Sequence, residues 1–195
     1  QLGNYGYLQN GLKFGIKTND YRFFTSYFYR NLDGYRKHNE EYQSLINSVY
    51  EGYIGTKSTI SVLGNYVRGF DRLPGPLTKE QYDTDPFQAY NLAIAKDFRT
   101  ESKKGRLAVR FKTMFGNANN NEIEVTGYGG IKDFMKTDDI NYMISTRNSV
   151  GSLLRFTNRS IISKRNNVLT IGMDCAYQSG PRTIFDNVAG QRGPN

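Results

Sequence analysis

An all-β fold, an antiparallel up-and-down meander of about eight strands, is what the sequence predicts. Three observations carry that expectation. Apolar and polar residues alternate with period two in window after window. The segments between those windows alternate between short and long. The prolines Pro74, Pro76, Pro86, Pro181 and Pro194 all fall in the predicted long segments, where none would remove a ladder hydrogen bond.

Taken in order, Leu2–Lys17 places Leu8, Leu12, Phe14 and Ile16 on one parity, with Asn10 the exception. Asp20–Asn31 is almost continuously aromatic. In Glu41–Ile54, Leu45 and Val49 share a face with Asn47 between them. Thr59–Phe70 aligns Ile60, Val62, Gly64 and Tyr66. Lys103–Phe115 sets Leu107, Val109, Phe111 and Phe115 against Arg106, Ala108, Arg110 and Lys112. Asn121–Phe134 sets Ile123, Val125 and Ile131 against Glu122, Glu124, Thr126 and Tyr128. Val150–Ser163 carries Leu154, Phe156 and Ile162. Val168–Gln178 carries Leu169, Ile171, Met173, Cys175 and Tyr177. Alternation of this kind marks strands with one apolar and one polar face. No helical stripe stands out, although Gln81–Ala95 could hold a short helix in a loop.

Predicted short connections are Lys17–Asp20, Gly55–Ser58, Gly116–Asn120 and Ser163–Asn167. Predicted long ones are Asn31–Glu40, Asp71–Ser102, Lys136–Ser149 and Ser179 to the end. A sheet built this way has one plain rim and one elaborate rim, the pattern of outer-membrane barrels.

A length of 195 residues allows one domain or at most two, and one domain over residues 1–195 is expected. Aromatics at 14% exclude a disordered chain. No apolar run approaches the roughly 18 residues of a membrane helix. Gln1–Gly15 does not read as a secretory leader, so an exported form would imply a beginning upstream. The net charge of +8 points to an anionic partner or to a solvated surface. Cys175 and His38 are the single cysteine and single histidine, which excludes an intrachain disulfide and a Cys/His zinc site.

Both a soluble β-sandwich and a membrane barrel alternate in this way. Strand length favours the barrel, because several windows exceed ten residues and tilted membrane strands need roughly 9–11. Aromatics also gather near the predicted strand ends, as interfacial girdles do. With the long loops outside, Tyr5, Tyr7, Tyr27, Tyr29, Tyr66, Phe70 and Tyr177 lie near one rim. Phe14, Tyr21, Phe23, Tyr53 and Phe115 lie near the other.

Three loop motifs sharpen the reading. Asp33–Asn39 is DGYRKHN, Leu73–Ala89 is LPGPLTKEQYDTDPFQA, and Asn187–Pro194 is NVAGQRGP. In order and spacing these resemble the external loops of TonB-dependent outer-membrane receptors of the ferric-siderophore branch. The resemblance covers essentially the whole chain. It implies part of a transmembrane barrel of about 22 strands, with the plug domain and the C-terminal strands outside this segment. It implies import of a ferric siderophore, contact with outer-membrane lipid and lipopolysaccharide, and coupling to TonB through an N-terminal region outside this segment. It implies localisation to the outer membrane of a Gram-negative bacterium, with no cofactor, catalytic residue, resident metal or nucleic-acid partner.

The candidate ligand-binding residues are Tyr35, Arg36, His38, Arg72, Arg110, Arg155, Arg182 and Arg192. Arginine clamps carboxylate or catecholate oxygens with paired hydrogen bonds. Each could equally serve loop architecture or pair with carboxylates in the lumen. Lys13, Arg106, Lys112 and Arg159 share the polar parity with Arg110 and Arg155. Asp83, Asp85 and Pro86 could cap a helix begun near Phe87, or the carboxylates could take a hard cation. Gly55–Thr59, GTKST, lacks the spacing of a phosphate loop. Gly127–Gly130, GYGG, reads as relief of packing or curvature within a strand. No nucleophile–base set has a defensible geometry, so an enzyme is not expected. The competing class is a soluble basic all-β domain, with Tyr and Phe as stacking platforms for nucleic acid or with cations for an acidic polysaccharide.

Overall fold

The computed structural model describes residues 1–194. Its strands are β1 (Leu8–Lys17), β2 (Tyr21–Leu32), β3 (Glu41–Ile54), β4 (Ser58–Arg72), β5 (Arg99–Phe115), β6 (Asn121–Thr137), β7 (Asn141–Ile162), β8 (Arg165–Ser179), β9 (Arg182–Val188) and β10 (Gln191–Arg192). Two short helices, α1 (Lys79–Thr84) and α2 (Asn91–Ala95), lie between β4 and β5. Consecutive strands from β1 to β8 pair antiparallel in one meander. β1 and β8 are its edges at the short-turn end.

β9 continues β8 without a change of register. Asn148 faces Ser179 and Ser145 faces Arg182, so both segments run along the same side of β7. Pro181 interrupts the ladder between them because it has no N–H to give. Gly180 is required there, since a Cβ at that position would overlap the Thr146 carbonyl oxygen. The segment after Ser179, expected as a loop, is therefore the top of the eighth strand followed by the β9–β10 hairpin. Pro181 does fall within a strand line, contrary to expectation.

The 136–149 loop also contracts. β6 and β7 extend until only Asp138–Ile140 joins them. The Asp138 carboxylate closes this turn by accepting from the Ile140 and Asn141 amides at 3.2 and 2.7 Å. Polar residues occupy both parities here, which hid the strands from a periodicity reading. At the opposite end, Ser163 and Lys164 take φ of 51° and 63° in a two-residue turn, as a twisted hairpin requires.

Burial is inverted relative to a water-soluble sheet. Buried apolar side chains among the described residues are Ala89, Ala93 and Phe185. Buried polar ones include Glu51, Ser61, Glu122, Glu124, Thr157 and Asn187. The apolar parity is exposed: Leu107 keeps 56% of its surface and Met173 60%. Along β5, six successive cross-strand rows from Gly105 to Phe115 carry no Asp, Glu, Lys or Arg on this face. The row beyond them begins the charged rim with Arg68, Lys103 and Asp133. Ten residues at about 3.3 Å each, tilted by about 40°, give a band about 25 Å tall.

Aromatic pairs edge this band. Tyr42 stacks on Phe70 at 5.2 Å near the long-loop rim. Phe14 meets Phe23 at 6.4 Å, Tyr21 stacks on Tyr50 at 6.0 Å, and Phe115 meets Phe156 at 6.5 Å toward the short-turn rim. Tyr53 departs from the expected girdle: it pairs with Thr59 and shares the polar face of Glu51. Leu45 and Val49 do share a face, but it is the polar one. Ile46 and Tyr50 supply the apolar face of β3, in register with Tyr66 and Val62.

Candidate ligand site at the loop end and polar face

The three loop motifs converge on one junction. In DGYRKHN, Gly34 and His38 take φ of 83° and 57°, which turns the loop back toward the β4–β5 connection. The Arg36 guanidinium then donates to the carbonyls of Gln88 and Pro74 at 2.9 and 3.3 Å, and the Lys37 amide donates to Phe87 at 2.8 Å. His38, with only 9% of its side chain exposed, places Nε2 3.1 Å from the Phe98 carbonyl and 3.6 Å from the Asp97 carboxylate.

Asp97 is the hub of this junction. Besides His38 it pairs with Arg72 at 3.5 Å and with Arg99. Arg72 also reaches Glu40 at 3.2 Å. Thr137 at the end of β6 accepts from the Arg99 amide at 2.8 Å. The third motif closes the ring: buried Asn187 donates to the carbonyls of Lys96 and Asp138 at 2.8 and 2.6 Å, while the Lys96 ammonium donates to the Asn187 carbonyl at 2.9 Å. Gly190, with φ of 82°, passes so near Asp97 that a Cβ would lie 2.6 Å from the Asp97 Cβ. Arg192 lies over the Phe185 ring at 3.9 Å.

Within the β4–β5 connection, Thr78 caps α1. Its hydroxyl accepts from the Gln81 amide at 3.2 Å, and the Gln81 side chain accepts from the Thr78 amide at 2.9 Å. The expected helix start near Phe87 is not found. Asp85 instead ends α1, and its carboxylate accepts from the Phe87 amide at 2.9 Å. Among the described residues, no three His, Cys, Asp or Glu side chains converge as a cation site.

A second cluster occupies the polar face toward the short turns. Glu51 pairs with Arg22 at 2.9 Å and lies 3.8 Å from Arg110, which also donates to the Ser61 hydroxyl at 3.2 Å. Glu122, 5% exposed, sits among Lys112 at 3.2 Å, Arg159 at 3.3 Å and Arg155 at 3.9 Å. Arg155 also pairs with Glu124 at 3.0 Å.

The candidate residues thus separate into distinct places. Arg36, His38 and Arg72 hold the loop junction. Tyr35 is half exposed and meets Tyr5 edge-on at 6.2 Å. Arg110 and Arg155 belong to the ion-pair cluster. Arg192 lies in the terminal hairpin, and Arg182 stands on the polar face opposite Ser145. Sequence reading missed Asp97 and Asn187, whose partners lie 59 and 91 residues away (His38 and Lys96). It also missed a row of cations on the polar face, Lys104, Lys132 and Arg147, which only the register aligns.

The chain matches no protein-family model and no curated protein in sequence. In structure it resembles the ferric citrate transporter FecA in its unliganded form, with a TM-score of 0.72 at 17% identity over 97% of this chain and 29% of that one. It resembles P. aeruginosa FpvA bound to a heterologous ferric pyoverdine, with a TM-score of 0.78 at 12% identity over 98% of this chain and 30% of that one. FpvAI in complex with pyocin S2 gives 0.77 at 13% identity, over 98% and 28%. The likeness shows the fold: this sheet corresponds to part of a β-barrel wall. The chain spans less than a third of the length of each of these structures.

Proposed function

We propose that this chain is a wall segment, with its external loops, of a TonB-dependent outer-membrane receptor that imports ferric siderophores in a Gram-negative bacterium. The observation that carries the reading is the inverted burial. Six charge-free rows of exposed apolar side chains back a face on which carboxylates are buried in ion pairs. Lipid is the solvent that rewards the first face, and a wet, charged lumen the second. The barrel fold shared with FecA and FpvA supports the same conclusion. The soluble nucleic-acid reading fits poorly, since the charge-free rows separate most aromatics from the cations that stacking platforms need beside them.

In this reading the chain makes and breaks no covalent bond. Its polar face lines the path of a metal chelate. Its loop junction presents Tyr35 and the outer ends of β5 to β7 to the exterior. A plug and a TonB-contacting segment belong to the remainder of the receptor, and lipopolysaccharide meets the charged rim at Arg68 and Lys103. The open edges at β1 and β8 pair with further strands of the barrel, because a barrel leaves no edge unpaired.

The test is uptake of radiolabelled ferric siderophores by cells carrying the complete gene, with and without TonB. TonB-dependent accumulation of at least one ferric chelate is expected. Its absence for ferric citrate, a ferric catecholate and a ferric hydroxamate alike overturns the reading.

A further inference from the structure

The cations of the polar face differ in what answers them. Toward the short turns, Arg22, Arg110, Lys112, Arg155 and Arg159 have carboxylate partners, whereas Lys13 and Lys17 of β1 have none among the described residues. Toward the loops, Lys104 of β5, Lys132 of β6 and Arg147 of β7 stand directly opposite one another in a single row. Arg106 lies one row nearer the short turns, opposite Gly130, and Arg182 one row nearer the loops, opposite Ser145. Among the described residues, none of these five cations has a carboxylate partner.

Acidic groups around the row do not answer this charge; on the polar face Asp174 accepts from the Tyr128 hydroxyl at 3.1 Å. Asp133 and Glu101 lie on the opposite face of the sheet. Asp71 accepts from Thr100 at 3.0 Å, and Glu41 pairs with Arg30 across β2 and β3. Like charges directly opposite on neighbouring strands destabilise a sheet. Ammonium and guanidinium groups also have no acceptor with which to satisfy one another. Two shallow recesses flank the row, of about 200 Å³ beside Arg106 and Gly130 and about 220 Å³ beside Phe134 and Arg182. Both share Lys132 and Arg147 as walls, and the Lys132 ammonium lies 5.3 Å from the centre of the Phe134 ring.

We propose that the Lys104–Lys132–Arg147 row, flanked by Arg106 and Arg182, is an anion site that selects metal chelates of net negative charge over neutral ones. The inference rests on the transport reading above and adds the charge class of the cargo. A chelate whose carboxylate or catecholate oxygens face outward supplies the missing acceptors, and Arg147 can hold two of them at once. A neutral hydroxamate chelate has no charge with which to offset the row.

The experiment is equilibrium binding to the complete receptor in detergent micelles. The probes are ferric citrate, a trianionic ferric tricatecholate and a neutral ferric trihydroxamate. The expected result is binding of at least one anionic probe in preference to the neutral one. Lys132→Gln and Arg147→Gln should each weaken that binding about tenfold and flatten its salt dependence. Lys132→Arg should restore it, and Lys57→Gln in a distant short turn should leave it unchanged. Affinity that ignores probe charge and survives the combined K104Q/K132Q/R147Q variant overturns the anion site while leaving the transport reading intact. A combined variant that binds normally but melts at lower temperature also overturns it, because the row then answers to acidic side chains of the receptor itself. Failure of the unaltered receptor to bind any of the three probes overturns both.

Discussion

Glu122 shows how this protein sets the worth of single residues. It is nearly buried and shared by Lys112, Arg155 and Arg159, three cations that each retain some contact with solvent. Removing its charge leaves those cations to repel one another on a crowded face. Glu122→Gln is expected to lower stability by about 2 kcal/mol, less than a fully buried pair because solvent screens the cations. Denaturant unfolding of the complete protein in detergent micelles measures it, with exposed Glu80→Gln in α1 as the reference expected to change little. Asp97 has the corresponding role at the loop junction, where one carboxylate orients His38, Arg72 and Arg99. The motif residues Arg36 and His38 bind protein atoms in this structure, holding their loop against the β4–β5 connection.

Among the elements, the β8–β9 line is governed by two residues. Pro181 opens the ladder and Gly180 lets the chain pass against the Thr146 carbonyl, after which β9 resumes the register of β8. Any side chain at residue 180 must push the two backbones apart. Gly180→Val is expected to detach β9 from Asn141–Ser145 of β7, releasing Asn187 from Lys96 and Asp138. The cost should reach about 2–3 kcal/mol, in line with other steric backbone lesions. Amide exchange should report it selectively, through lost protection at Ile184 and Phe185 while β3 to β5 remain protected. Uniform protection across β9 in the variant would show that the close approach is dispensable.

For the molecule as a whole, the decisive quantity is whether the charge-free face meets lipid or water. Leu107 and Ala108 are adjacent on β5 but lie on opposite faces, Leu107 within the charge-free band and Ala108 between Arg106 and Arg110. In a membrane barrel Leu107→Arg should cost about 2–4 kcal/mol near the bilayer midplane. Ala108→Arg, directed at a wet lumen, should cost well under half as much. If both faces met water, a cation at the exposed Leu107 would be close to neutral. Folding yield into liposomes for the two variants separates these cases.

Much of this architecture was legible in the residues. Period-two alternation marks strands because side chains of a pleated chain must alternate faces, and it assigned the apolar parity correctly from Leu12 to Ile16 and from Leu107 to Phe115. It failed at Lys136–Ser149, where polar residues fall on both parities and Tyr142, Met143 and Ile144 run consecutively, so no alternation marks the strand ends beyond the apolar band. It gave no warning of β3, where Leu45 and Val49 lie on the polar face and only pairing with β4 identifies Ile46 and Tyr50 as the apolar pair. The loop motifs were visible, but not their mutual docking, which depends on contacts between residues 38 and 97 and between 96 and 187. Local pattern is enough to specify a strand-rich fold, two-faced strands and a supply of cations. Which cations acquire carboxylate partners and which stand unanswered in a row is settled only on folding, because charge pairing depends on register across strands, a relation between segments far apart in the chain that no local pattern records.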